Sequence, residues 1–469
     1  MGEVPLARPE ATMRITSWSR PRPPSRLAAP AASVWRRLAA LLLCSLAGDA
    51  AAAPLTIDEA VARALAASPA ARAARLEATA AEERTAQAHA KHLGDLDLVG
   101  SASRYEGPRL LRPLVGPISP AIISRLPFDQ DQLHYGVTWQ IPLFAGGALV
   151  EGDRAARLAE VSTRHATARS LDELRYNVRA AYRNALGLRH ALGAAEAYEE
   201  ALTRDESSSR LRVEAEAWAR ADGAKISFAL ESARARRAAL SAQLRTSLGL
   251  LAALMGEDGS GPSYDLRDIP AEPAAPTATT EGMAAAAQAG RADLLAAREA
   301  AEAQRSRAGV VRAGFWPQLS FAGNLLVNKG SSIPSPIDTY ELTILLKFPL
   351  FSDLGRYHAL REAEAATSAA EERRRAKELE VRTQVLDAAG RLEASRAGLA
   401  AGKAQRSLGA EVARVEKLRF EQGTGKVEDY LLARAQQLEG ETGYWLALYG
   451  LQSAVDYADL VSGSGGHRE

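Results

Sequence analysis

One stretch of this chain occurs twice, and that constrains the fold more than anything else in it. Gln132-Leu-His-Tyr-Gly-Val-Thr-Trp-Gln-Ile-Pro-Leu-Phe144 returns as Thr339-Tyr-Glu-Leu-Thr-Ile-Leu-Leu-Lys-Phe-Pro-Leu-Phe351. Each copy alternates like a strand, ends in Pro-Leu-Phe and runs into a long helical segment, so the chain holds two structural copies of one unit. Leu133, Tyr135, Val137, Trp139 and Ile141 share one face, and Tyr340, Leu342, Ile344, Leu346 and Phe348 repeat it in phase. The other face carries His134, Thr138 and Gln140, then Glu341, Thr343 and Lys347. An apolar face opposite a polar face, over about ten residues, is the pattern of a membrane barrel wall.

The N-terminal residues 1–53 read as a signal peptide with a long n-region, and the true start is expected to be later, at Met13. Arg36-Arg37 precede the apolar run Leu38–Ala47, which is too short to span a bilayer, and Ala50–Ala53 offer small residues for cleavage. The only cysteine, Cys44, lies in that run, so the rest of the chain has no disulfide or thiolate chemistry. Leu43 is too bulky for a lipidation box at Cys44. No later segment is expected to reach the roughly 18 apolar residues of a membrane helix. Lys and Arg number 58 against 57 Asp and Glu, and no basic cluster breaks the balance, so nucleic acid is not an expected partner.

After residue 53 the first copy is expected over 54–256, a Pro, Gly and Thr-rich linker over 257–280, the second copy over 281–461 and a disordered tail over 462–469. Thr56 and Glu59 form a capping box, and a helix is expected from there to about His92. Asp95–Ser103 alternates as a strand, followed by a loop over about 105–131 and the repeated strand ending at Pro142. From Gly147 to about Arg220 helix breakers are limited to isolated glycines. Leu171, Leu174, Val178, Ala181, Ala185, Leu188, Leu192 and Ala195 recur at steps of three and four, a coiled-coil seam. Val381, Val385, Ala388, Leu392 and Leu399 continue it in the second copy. Asp222-Gly223-Ala224 and Gly423-Thr424-Gly425 are the expected turns at the far ends of these rods, because glycine accepts positive φ. The fold class is thus mainly α, with long antiparallel coiled-coil helices and four strands. Four strands cannot close a barrel, and open edges in lipid leave backbone groups unsatisfied at several kcal/mol each, so other copies of the chain must complete it.

Both Pro-Leu-Phe strand ends, the opening Leu55-Thr-Ile-Asp-Glu-Ala60, Trp316-Pro-Gln-Leu319 and Phe420-Glu-Gln-Gly-Thr-Gly-Lys-Val-Glu-Asp-Tyr-Leu-Leu432 make the chain resemble the TolC-type outer-membrane efflux family. The likeness runs from about Pro54 to about Leu460. It implies a homotrimer whose strands share a twelve-stranded barrel in outer-membrane lipid, continued by a helical tunnel through the periplasm of a Gram-negative bacterium. It also implies a passive exit duct that meets a periplasmic adaptor and an inner-membrane pump of the RND or ABC type. The adaptor-docking tips would be Asp222, Gly223, Ala224, Gly423, Thr424 and Gly425. Asp429 matches a family aspartate at the aperture, and Leu432 stands where the family has a second, which puts a double acidic ring in doubt. A helix-start carboxylate favoured by the helix dipole is the other reading of Asp429.

Tyr135 is expected in an interfacial aromatic girdle, and Phe144 and Phe351 in packing where barrel meets helices. His89 and His92 lack a carboxylate or thiol partner in the sequence, and no metal or cofactor is expected. No phosphate loop, nucleophile elbow or zinc-helix motif occurs, so the chain is not expected to be an enzyme. A second reading, a secreted periplasmic coiled-coil scaffold without a transmembrane barrel, differs in not requiring an apolar outer face on every strand.

Overall fold

The computed structural model describes residues 54–112, 126–258, 264–269, 272–273, 279–351 and 354–464. The expected signal peptide, Cys44 and most of the expected tail lie outside them. The first copy runs α1 (Ile57–Ala67), α2 (Pro69–Ala90), β1 (Asp95–Leu110), β2 (Phe128–Ala145), α3 (Ala148–Glu214) and α4 (Arg220–Met255). The second runs α5 (Thr280–Gly290), α6 (Ala292–Ala313), β3 (Gln318–Gly330), β4 (Ile337–Lys347), α7 (Gly355–Glu421) and α8 (Val427–Ser462). Helices α3 and α7 have 67 residues each, and α4 and α8 have 36 each. A 67-residue helix is about 100 Å long at 1.5 Å per residue.

The Thr56–Glu59 capping box forms: Thr56 Oγ1 accepts from Glu59 N at 3.2 Å, and Glu59 Oε2 accepts from Thr56 N at 2.9 Å. The helix expected to continue to His92 instead breaks at Ser68-Pro69. Proline cannot donate to the preceding turn and pushes the residue before it out of the helical region, and Ser68 sits at φ −58, ψ 131. The loop expected over 105–131 is shorter, because β1 continues to Leu110 and β2 begins at Phe128. An irregular register between Arg104 and Arg109 absorbs Tyr105-Glu-Gly-Pro108. Proline is tolerated there because β1 is an edge strand.

All four strands pair antiparallel in the order β1-β2-β3-β4, leaving β1 and β4 as open edges. The registers settle which side chains share a face. Val137 pairs with Leu98 and Leu325, and Leu325 with Tyr340. Trp139 pairs with Leu96 and Gly323, and Ile141 with Phe321, which faces Ile344. One face is thus apolar across the whole sheet, and Leu96, Leu98, Val137, Trp139, Leu325, Tyr340, Leu342 and Ile344 on it are exposed in the single chain. The opposite face aligns Asp97, Thr138, Asn324 and Glu341. Tyr135 is exposed on the apolar face. Phe144 and Phe351, expected in packing, are 49% and 85% exposed. The two Pro-Leu-Phe copies differ because Phe144 pairs with Leu319 inside the sheet, whereas β4 is an edge strand that ends at Lys347.

Near the sheet, α3 packs on α2 and α6; farther away it packs on α4 and α8, while α7 packs on α6 and then α8. Of the expected α3 seam, Leu174, Val178, Ala181, Ala185, Leu188 and Ala195 are buried, and Leu171 and Leu192 half-buried. Val381, Val385, Ala388, Leu392 and Leu399 are all buried on α7. The segment between the copies is tied down: Leu55 pairs with Leu266, and buried Tyr182 donates from Oη to the carbonyls of Leu55 at 2.6 Å and Arg267 at 2.8 Å. One expectation fails here. By length and composition α4 is apolar enough to cross a membrane, with a mean hydropathy of 1.3 over 18 residues, although only 22% of that window is buried. The leucines from Leu240 to Leu254 raise the average, and the alanines, serines and polar residues spaced among them keep them from forming one continuous apolar run.

Candidate functional site

The ends of the two helical hairpins, far from the sheet in sequence, gather the polar groups expected to matter. In the second hairpin, α7 ends at Glu421, Gly423 takes φ +74, and α8 starts at Val427. The backbone N–H groups of Thr424 and Gly425 both donate to the Arg419 carbonyl, at 2.9 and 3.0 Å, closing the turn. In the first hairpin the same bonds run from Ala217 and Trp218 to the Arg212 carbonyl, at 2.9 and 3.3 Å. The left-handed residue there is Glu216, at φ 55.

The break expected at Asp222-Gly223-Ala224 is therefore displaced: all three lie inside α4, and the turn is Ala215–Ala219. Gly223 drew the expectation because glycine marks turns, but it has no positive φ here. The internal repeat held the correct signal. Carrying Gly423 back by the spacing that relates Thr339 to Gln132 lands on Glu216, not on Gly223. The same spacing makes Asp222 the counterpart of Asp429 and Lys225 the counterpart of Leu432.

Asp429 and Leu432 lie one turn apart on the exposed side of α8, and Leu432 is 60% exposed. Their neighbours link the hairpins. Lys225 Nζ donates to Asp222 Oδ1 at 3.0 Å in its own helix and to Glu428 Oε1 at 2.5 Å in the other. The bond from Lys225 holds the Glu428 carboxyl below its ordinary pKa, and that to Glu428 raises Lys225. Buried Tyr430 donates from Oη to Asp205 Oδ2 on α3 at 2.6 Å, and burial pushes its hydroxyl well above the ordinary tyrosine value. Phe420 stacks on Tyr430 at 4.5 Å and meets Trp218 edge-on at 5.2 Å, with Ile226 and Val427 completing a small core. Sequence reasoning missed Asp205, Trp218, Lys225, Glu428 and Tyr430. The links they form cross 203 and 225 residues for the two polar bonds, a separation that no local spacing reveals.

His89 and His92 rings lie 5.7 Å apart, and His89 Nδ1 stands 3.8 Å from Asp153, a carboxylate supplied from α3. Among the described residues no group of three or more His, Cys, Asp or Glu side chains is placed to hold a metal ion.

Residues 284–456 match the family model described as "Outer membrane efflux protein". No curated protein sequence matches the chain. Among solved structures, the outer membrane protein VceC from Vibrio cholerae is 17% identical, with 87% of this chain and 96% of that one covered and a TM-score of 0.71. The Campylobacter jejuni CmeC outer membrane channel is 16% identical over 87% and 86% of the two chains, with a TM-score of 0.72. The open state of the Neisseria gonorrhoeae MtrE outer membrane channel is 18% identical over 87% and 88%, with a TM-score of 0.69. The mainly helical fold with a four-stranded barrel contribution is shared with these channels, and the resemblance drawn from the sequence motifs holds.

Proposed function

From the match of residues 284–456 to the outer membrane efflux protein family model and the fold shared with outer-membrane channels, we infer that the chain is the exit duct of a tripartite efflux or type I secretion system. Substrates pass through it passively across the periplasm and outer membrane. The duct does no chemistry and holds no cofactor; an inner-membrane pump supplies the energy. The observation that carries this reading is the sheet. One face is apolar from β1 to β4, both edges are open, and the strands continue into rods of 67 residues. Backbone groups on an open edge in lipid need partners, so copies close the wall together; the likeness to the outer membrane efflux family makes that closure a homotrimer with twelve strands. An outer face that is apolar on every strand is what a soluble periplasmic scaffold would not need.

The hairpin ends form the periplasmic aperture and the docking site for an adaptor. The turns Ala215–Ala219 and Gly423–Gly425 take the docking role, with Asp222, Gly223 and Ala224 one turn behind the first. Three copies of Asp429 around one axis make a single acidic ring, with Leu432 as an apolar ring beside it. Converging carboxylates attract cations. Native mass measurement in detergent should give a trimer, and a folded monomer would overturn the architecture. In planar bilayers, Asp429→Ala should lower cation preference and Leu432→Asp should raise it. If neither changes selectivity, Asp429 is only a helix-start carboxylate.

A further inference from the structure

The apolar face of the sheet ends in charge at the strand ends farthest from the helices. On β2 that face runs Ile141, Trp139, Val137, Tyr135 and Leu133, and the next residue on it is Asp131. From Ile141 to Asp131 a tilted strand rises about 25 Å, the height of a lipid-facing band. Three strands bring charge to that end. Arg104 of β1 pairs with Asp131, and Lys329 of β3 pairs with Leu133, so all three charged side chains lie on the apolar face. A cavity of about 490 Å³ opens among them, lined by Ala102, Arg104, Asp131, Leu133, Lys329 and Gly330 among others. Arg104 Nε stands 3.6 Å from Asp131 Oδ1, too far for a hydrogen bond, and the Arg104 side chain is 79% exposed. Lys329 is exposed and forms no ion pair among the described residues.

The frame of this cavity is fixed from behind. Buried Asp129 accepts from Ser332 N at 2.7 Å, Ser332 Oγ at 2.6 Å and Ser331 Oγ at 3.0 Å, which pins the chain after β3 onto β2. Asp131 N donates to the same carboxylate at 3.0 Å. Gly330 permits the approach, since a Cβ there would lie 2.3 Å from Asp129 Oδ2. The backbones that carry Asp131 and Lys329 are therefore set before any ligand arrives. Two cations face one carboxylate here, at the end of an apolar wall, beside Leu133 and Ala102. Arginine meets phosphate through paired N–H bonds and lysine meets it as a point charge. A phosphate on a lipid can reach both while its acyl chains follow the wall; a phosphate in water gains nothing from the wall.

We propose that Arg104 and Lys329 hold the phosphate of an outer-leaflet lipid headgroup, with the acyl chains lying along Leu133 and Tyr135. The site rests on the duct reading for which face meets lipid, and adds a specific headgroup contact to it. Native mass measurement of the full-length protein in nonionic detergent, titrated with diphosphoryl lipid A, should show adducts up to one per copy. Arg104→Gln together with Lys329→Gln should weaken binding about tenfold or more. Asp131→Asn should tighten it, because both cations remain and the opposing carboxylate is gone; a purely structural Arg104–Asp131 pair would give no such gain. Lipid A stripped of its phosphates should bind as weakly as the double variant does to the intact lipid. An oligomer that binds equally with or without the phosphates, or with or without the two cations, overturns the site and leaves the duct standing. Ready displacement of the lipid by inorganic phosphate assigns the cavity to a free anion and overturns the lipid site. A folded monomer overturns site and duct together.

Discussion

The two hairpins have the same lengths to the residue, and they are built differently. In α7/α8 the backbones touch: a Cβ on Gly440 would lie 2.7 Å from the Gln405 carbonyl oxygen, and one on Gly402 3.2 Å from the Tyr444 Cα. The counterparts of Gly402, Gly409 and Gly440 in α3/α4 are Ala195, Leu202 and Ala233, all buried. Side chains fill there the space that glycines remove in the second copy. On the flank of the looser hairpin a groove of about 690 Å³ opens between α4 and α8, lined by Phe228, Ala229, Leu431 and Leu438 among others. Equal length preserves the height of every level, which a shared wall demands. Helix spacing and turn chemistry are free to diverge between copies, and they have.

The largest effect tests whether the copies are equivalent as barrel wall. Val137→Arg, and its repeat counterpart Ile344→Arg, should each impair assembly by about 2–4 kcal/mol near the bilayer midplane, while Thr138→Arg is tolerated and narrows the pore. Heat-resistant oligomer on gels and single-channel conductance read this. A large loss at Val137 with none at Ile344 would mean that the β4 edge is not lipid-facing wall. Next comes hairpin spacing. Gly440→Ala should cost about 1–3 kcal/mol, because the Gln405 backbone cannot yield as a flexible side chain would. Thermal unfolding measures it, and a neutral result would show that the hairpins are equally loose.

The turns sharpen the contrast further. Glu216→Gly should stabilise by about 1 kcal/mol and Gly423→Glu should destabilise by a similar amount, since only glycine adopts the left-handed region without a steric cost. Equal and opposite shifts in Tm would confirm that the turns are the same device with different residues. The smallest effect is at the Lys225–Glu428 link. Glu428 has a lowered carboxyl pKa in the folded chain, so its stabilising share is present above the ordinary glutamate pKa and lost as pH falls through the folded value. Spin-label distances between the two turns should therefore widen only in the acidic range, below about pH 4.3, where glutamate normally takes up its proton. Lys225→Ala should widen them already at neutral pH and flatten the profile. A profile unchanged by Lys225→Ala would show that Tyr430–Asp205 and the Trp218–Phe420 contact hold the hairpins without it.

Much of this molecule was legible because its strongest signals are local or periodic. Alternation from Leu133 to Ile141 and from Tyr340 to Phe348 specifies a two-faced strand wherever the strand pairs, since side chains alternate at every residue. The seam from Leu174 to Ala195 needs only helical geometry, and Gly423 marks its turn by its own conformational freedom. Tertiary structure decided the rest. Glu216 holds a left-handed turn that its side chain disfavours, closed by the bonds from Ala217 and Trp218 N–H to the Arg212 carbonyl. Lys225 meets Glu428, and Tyr430 meets Asp205, only because folding brings together helices about two hundred residues apart. Phe144 and Phe351 share a motif and differ in exposure because one lies in a paired strand and the other beyond an edge strand. Residue spacing states which face a side chain occupies; only the packed chain states what stands opposite.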